Sequence, residues 1–178
     1  LFEPSQRFSS IRHREIPYKD FRRQPLLPNR QSQLGPGMAL GDIDSDGDDD
    51  LYLGGAAGFA GTIFRNEGNG HFQPMQKFDK ELAREDMGSL FLDADSDGDL
   101  DLYVVSGGVE CGAGSSLLLD RLYLNRGRSG FITAEDGTIP SLKDSGSGVT
   151  AADFDRDGDL DLFVGGRTIP GQYPLASN

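Results

Sequence analysis

Asp42, Asp44, Asp46 and Asp50 occupy positions 1, 3, 5 and 9 of the nonapeptide D-x-D-x-D-G-x-x-D, with Gly47 at position 6 and Asp48 at position 7. The pattern recurs twice. Asp93, Asp95, Asp97, Asp99 and Asp101 surround Gly98, and Asp153, Asp155, Asp157, Asp159 and Asp161 surround Gly158. Alternate carboxylates converge on one point when the glycine turns the chain, and an all-oxygen donor set suits a hard cation. Calcium accepts six to eight oxygens at flexible angles, including a backbone carbonyl from position 7 and a carboxylate from position 9. The reading therefore assigns side-chain ligands to positions 1, 3, 5 and 9, carbonyl donors to Asp48, Asp99 and Asp159, and about three calcium ions to the chain. Magnesium demands a stricter octahedron and keeps its waters, and zinc wants the His or Cys ligands that these loops lack. Four carboxylates within nine residues repel one another, so ion binding is expected to couple to folding.

The flanks say what must position these loops. An EF-hand opens with the same nonapeptide but needs a glutamate at position 12 between two helices. Here position 12 is Leu53, Val104 or Val164, each inside a run rich in Leu, Tyr, Phe and Val. Short apolar segments (38–40, 89–92 and 149–152) precede the loops, so each loop joins two strands. These second strands end in the pairs Gly54-Gly55, Gly107-Gly108 and Gly165-Gly166, which favour turns or close backbone approach. The first two copies continue with TIFRNEGNGHF (62–72) and RLYLNRGRSGF (121–131), each read as a further hairpin whose Asn and Gly residues tolerate the positive φ of a tight turn. The first aspartates, 42, 93 and 153, are spaced by 51 and 60 residues, the length of a four-stranded unit with loops. The expected fold is all-β, built from blades of four antiparallel strands. Two linking stretches are left loosely assigned: 80–87 as a helical turn and 136–148 as a polar loop. The Val109–Leu119 insertion is read as a solvent loop.

Composition fits this division of labour. The net charge is −12, but sixteen of the 29 acids lie in the three loops, and the remainder are fewer than the 17 Lys and Arg. The low pI is thus local and points to cations rather than to general polyanion character. No stretch has the apolar length of a membrane span, and the chain starts at Leu1 without a signal-peptide pattern, as if processed or trimmed. The single cysteine, Cys111, excludes an internal disulfide framework. Residues 1–33 lack the repeat and mix Arg7, Arg12, Arg14, Lys19, Arg22, Arg23 and Arg30 with Phe2, Phe8, Tyr18 and Phe21. They are expected to pack on the repeats, with arginine stems over aromatic rings and with Ile16, Leu26 and Leu27 as anchors. No nucleic-acid partner is expected.

The segment SQLGPGMALGDIDSDGDDDLYLGGAAG resembles the FG-GAP (VCBS) repeat of integrin α-subunit head propellers and of many bacterial surface proteins. The order of PLLP, GPGMALGD, DLYVVSGG and DLFVGGR with PGQYPL further resembles bacterial relatives of cartilage acidic protein, the ASPIC/UnbV type. The resemblance implies one propeller blade per repeat, with calcium stiffening the loop between its first two strands. Blades are thereby expected at 34–85 and 86–144, with an incomplete one at 145–178. It also implies a partial propeller, either a segment of a longer one or one whose incomplete blade takes strands from residues 1–33. The expected function is an extracellular, cell-surface or periplasmic calcium-stabilised scaffold that binds a protein or glycan, as in adhesion. No enzymatic activity is expected, because only His13 and His71 are present and no serine-centred nucleophile motif occurs. The alternative is the propeller portion of a secreted polysaccharide lyase or hydrolase.

Overall fold

The computed structural model describes residues 11–68 and 70–177. Among the described residues ten strands form two four-stranded antiparallel sheets and one two-stranded sheet. The first sheet runs in chain order through β1 (Met38–Gly41), β2 (Asp50–Leu53), β3 (Thr62–Asn66) and β4 (Phe72–Lys77). The second repeats the order with β5 (Asp86–Leu92), β6 (Asp101–Ser106), β7 (Arg121–Asn125) and β8 (Phe131–Thr133). The third pairs β9 (Ser145–Ala152) with β10 (Asp161–Thr168). The architecture is all-β, a partial propeller of meander blades rather than a closed ring. Side chains alternate across each strand, so the second blade turns one apolar face to the first blade and the other to the third. Tyr52 and Ile63 of the first blade meet Phe91, Leu102 and Val104 of the second. Tyr103 and Val105 of the second meet Val149, Ala151 and Val164 of the third.

The first strands of successive blades lie side by side, and glycine sets their spacing. A Cβ on Gly37 would stand 2.9 Å from the backbone of Gly88, and one on Gly88 would stand 2.8 Å from the Ser147 carbonyl oxygen. Asp86, at the head of β5, ties the first interface together. It accepts the Tyr52 hydroxyl (2.7 Å) and the Gly55 N–H (2.6 Å), and it pairs with the buried Arg121 guanidinium. Tyr103 and the Ser106 N–H find the same service from Asp120 at 3.0 and 2.8 Å.

Several expectations need correction. Residues 145–148 are strand rather than loop: Gly146 is a packing glycine, since a Cβ there would stand 2.3 Å from Val105 Cγ1. The stretch 80–87 divides between a 3₁₀ turn at Asp79–Glu81 and the start of β5. The Val109–Leu119 insertion is anchored rather than solvated, because Val109 and Leu118 are buried and Arg84 holds the carbonyls of Ser116 and Leu119, each at 2.9 Å. Residues 11–33 hold a short helix, Asp20–Arg23, and no strand, so the described part of the lead-in does not complete the third blade. It rests on the repeats through His13 on the Gly54 carbonyl (3.2 Å) and Arg23 on those of Val109 (3.1 Å) and Cys111 (2.8 Å). Of its three expected anchors, Leu27 is buried, Ile16 is half exposed, and Leu26 points into solvent. Phe2, Arg7 and Phe8 lie outside the described residues.

Candidate metal centre

Each acidic loop joins the first and second strands of its blade, where an antiparallel pair brings its two ends together. Gly41 pairs with Asp50, Leu92 with Asp101 and Ala152 with Asp161. Position 9 is therefore already strand, and the register sets it beside position 1. The turn between them uses two left-handed residues: the position-6 glycines Gly47, Gly98 and Gly158 (φ 95°, 92° and 100°) and the position-4 residues Ser45, Ser96 and Arg156 (φ 59°, 58° and 65°). Glycine takes that conformation at no steric penalty, whereas the position-4 side chains are held there against their preference.

Carboxylate oxygens of Asp42, Asp44 and Asp50 converge within 4.8 Å of one another, as do those of Asp93, Asp95 and Asp101, and those of Asp153, Asp155 and Asp161. Positions 1, 3 and 9 thus form three all-oxygen groups that could hold a metal ion. The position-5 residues Asp46, Asp97 and Asp157 stand beside these groups. Each accepts the N–H of its position-7 neighbour, Asp48, Asp99 or Asp159, at 2.9, 3.0 and 3.0 Å. The position-1 carboxylate is held by the turn, with Asp42 accepting the N–H groups of Asp46 (3.1 Å) and Gly47 (2.9 Å), and Asp93 those of Asp97 (3.2 Å) and Gly98 (3.0 Å). Position 9 is tied to the rest of the blade. Asp50 accepts Ile43 N–H (3.1 Å) and Asn66 N–H (2.7 Å), and Asp101 accepts Ala94 N–H (2.9 Å) and Asn125 N–H (2.7 Å). Burial raises both of these carboxyls above the ordinary aspartate range, and the backbone donors pull them back. Asp161 is exposed and accepts one such bond, from Phe154 N–H at 2.9 Å.

Three features escaped the sequence reading. Asn66 and Asn125 serve the turns without positive φ: they end β3 and β7, their side-chain oxygens accept the N–H groups of Gly68 (3.1 Å) and Gly127 (3.0 Å), and among the described residues of these turns the left-handed positions fall on Gly68, Gly70, Gly127 and Gly130. Asn125 Nδ2 also reaches the Ile43 carbonyl (2.9 Å), linking the second blade to the first acidic loop. Arg126 lies across the second loop, with Nη2 on Asp95 and Nη1 on Asp97, both at 2.9 Å; Asp95 chiefly raises its pKa. The residue placed likewise in the first blade, after Asn66, is Glu67, which pairs with Arg65 at 3.3 Å. At the other end of the second strands, Tyr18, Glu85, Glu110 and Cys111 line a cavity of about 160 Å³. Desolvation, with help from Glu85, Glu15 and Asp20, pushes the Glu110 carboxyl up to about 7.

Blades stacked through their first strands, each opening on an acidic hairpin loop, define a propeller-type repeat protein with candidate metal sites. A model of the FG-GAP-like repeat matches residues 42–104 and again residues 93–164. These matches span more than half of the chain, which therefore belongs to the FG-GAP-like repeat family. No curated protein and no solved structure matches it. Among the described residues no helix is long and apolar enough to cross a membrane.

Proposed function

We propose that the chain is a calcium-stabilised scaffold that acts outside the cytoplasm, extracellular, on a cell surface or in the periplasm, and binds a protein or glycan through its loops. What supports the calcium reading most is the position-9 aspartate. One carboxylate there both joins the metal-binding group and, in the first two blades, accepts the N–H that ends the third strand. An ion on that carboxylate acts on the whole blade. The donor set is hard oxygen throughout, which favours calcium over zinc, and magnesium's strict octahedron and tightly held waters favour calcium over magnesium. The ligands on this reading are Asp42, Asp44, Asp46 and Asp50 with the Asp48 carbonyl, and the matching residues of the other two loops. Millimolar calcium outside the cytoplasm suits such loops. The role is non-catalytic, with the aspartates spent on metal and backbone.

Calorimetric titration of chelated protein with calcium, and in parallel with magnesium, tests the metal reading. About three calcium ions per chain and a higher melting temperature are expected. No calcium-dependent stabilisation refutes it. Protein and glycan arrays probed with and without calcium test the ligand reading, which fails if calcium-loaded protein binds nothing.

A further inference from the structure

The first and second acidic loops are joined at two points. Asn125, which ends β7 and is 2% exposed, donates its side-chain amide to the Ile43 carbonyl of the first loop (2.9 Å) and to the Leu100 carbonyl of the second (3.3 Å). Its backbone N–H holds the Asp101 carboxylate (2.7 Å), and Ile43 in turn gives its own N–H to Asp50. A single buried asparagine therefore touches the position-9 aspartate of the second loop directly and reaches that of the first through Ile43. The second point is apolar. A Cβ on Gly41, which pairs with Asp50 and precedes Asp42, would stand 3.0 Å from Leu100 Cδ1, so position 8 of the second loop packs on the strand that enters the first. Asn66 supplies the comparison. It bonds Asp50, Gly68 and the Asp49 carbonyl as Asn125 bonds Asp101, Gly127 and the Leu100 carbonyl, and the bond to Ile43 is the one that Asn125 adds. Among the described residues the carboxylates of the third loop accept N–H groups of that loop alone.

We propose that Asn125 is a positioning residue shared by the first two metal sites, so that filling either loop raises the calcium affinity of the other, while the third loop fills independently. This coupling rests on the calcium reading above. Four carboxylates within nine residues repel one another, and part of the binding free energy of each loop is spent in holding its turn. A held first turn fixes the Ile43 carbonyl, and that acceptor orients the Asn125 amide. An oriented Asn125 presents its N–H to Asp101 and its amide to Leu100, so the second loop is partly ordered before it is filled. The same bonds act in the opposite direction, and linkage makes the two effects equal. One buried amide bond corresponds to roughly a three- to tenfold change in affinity.

Calorimetric titration with calcium of the full chain carrying Asp155→Ala, which disables the third loop, measures the product of the two remaining binding constants. Chains that carry Asp44→Ala or Asp95→Ala in addition measure each constant alone. The product is expected to exceed that of the single-loop constants by roughly three- to tenfold. Asn125→Ala should bring this factor to one while both loops still bind, whereas Asn66→Ala, which loses the equivalent bonds within its own blade, should weaken the first loop and leave the factor unchanged. The same cycle on the second and third loops, with Asp44→Ala in the background, should give a factor of one. The side-chain amide resonances of Asn125 supply a readout that needs no asparagine variant: loading the first loop alone, in the chain with Asp95→Ala and Asp155→Ala, should shift them and slow their exchange with solvent. A factor of one in the parent chain, a factor that survives Asn125→Ala or is lost equally in Asn66→Ala, an equal factor between the second and third loops, or Asn125 resonances that ignore the first loop each overturn the coupling and leave the calcium reading standing. A chain that binds no calcium overturns that reading and the coupling with it.

Discussion

Replacing Asp101 with alanine should separate the structural from the metal-binding role of the position-9 carboxylate. Asp101 is fully buried and accepts two backbone N–H groups, Ala94 at 2.9 Å and Asn125 at 2.7 Å. Alanine leaves both donors without a partner, and each orphaned buried donor costs about 1–3 kcal/mol. The buried Asn125 donor belongs at the upper end of that range and the half-buried Ala94 donor at the lower end. Relief of the desolvated carboxylate returns part of the sum, since burial already raises the Asp101 pKa. A net loss of about 2–3 kcal/mol follows in the absence of calcium. Asp161→Ala removes one bond from an exposed loop and should cost less than about 0.5 kcal/mol under the same conditions. Saturating calcium should add a similar further loss to both variants, since each forfeits one ion, worth about 2.7 kcal/mol at a hundred times its dissociation constant. Urea denaturation in chelator and in calcium provides the four numbers. Equal losses for the two variants in chelator would refute the claim that position 9 binds the blade together independently of the ion.

Asp86→Asn should be among the most damaging single changes, because it strands the buried Arg121 guanidinium and weakens the Tyr52 and Gly55 bonds. Losing one partner of a buried pair costs about 3–5 kcal/mol, and a loss below about 1 kcal/mol in denaturant titration would contradict the network. Arg126→Ala should raise the calcium affinity of the second loop by roughly three- to tenfold at low salt, by removing a cation from Asp95 and Asp97, and calorimetry on a chain whose other two loops are disabled would detect it. An unchanged or weaker affinity would show that the arginine organises the loop instead. Glu110 has its folded pKa raised to about 7 from 4.5, so the native state holds this proton more tightly than the unfolded chain. Its contribution therefore disfavours folding progressively as pH rises through that window, and fully above it. The melting temperature of Glu110→Gln should gain on wild type between about pH 5 and pH 8, and a constant difference would count against the raised carboxyl.

What the sequence by itself determined was whatever depends on local spacing. The nonapeptide D-x-D-x-D-G-x-x-D gathers its carboxylates on one turn, because the glycine and the strand register on either side are encoded within a dozen residues; spacing set positions 1, 3, 5 and 9 together, and the structure groups 1, 3 and 9 with position 5 beside them. Alternation of Leu, Tyr and Val after each loop revealed the strands, and three copies in register revealed the blades. The Asn-Gly clusters revealed two hairpins, and Asn66 and Asn125 do hold the turns by accepting the N–H groups of Gly68 and Gly127; what spacing could not show is that both also bond to residues far away in the chain.

Only the tertiary structure decided what depends on distant segments meeting. Gly146 looks like loop composition until Val105 stands against it, and the Val109–Leu119 insertion looks polar until Leu118 finds its pocket. Arg126 is an ordinary turn residue until β7 swings it over Asp95 and Asp97. Leu26 and Leu27 are indistinguishable by type, yet packing buries one and leaves the other in water. Asp50, Asp101 and Asp161 are identical by motif and differ in structure, because β3 and β7 supply a second donor to the first two, while among the described residues β10 pairs with β9 alone. Local patterns specify conformation through short-range sterics and register, whereas burial and electrostatic partnership are set by which surfaces the folded chain brings together.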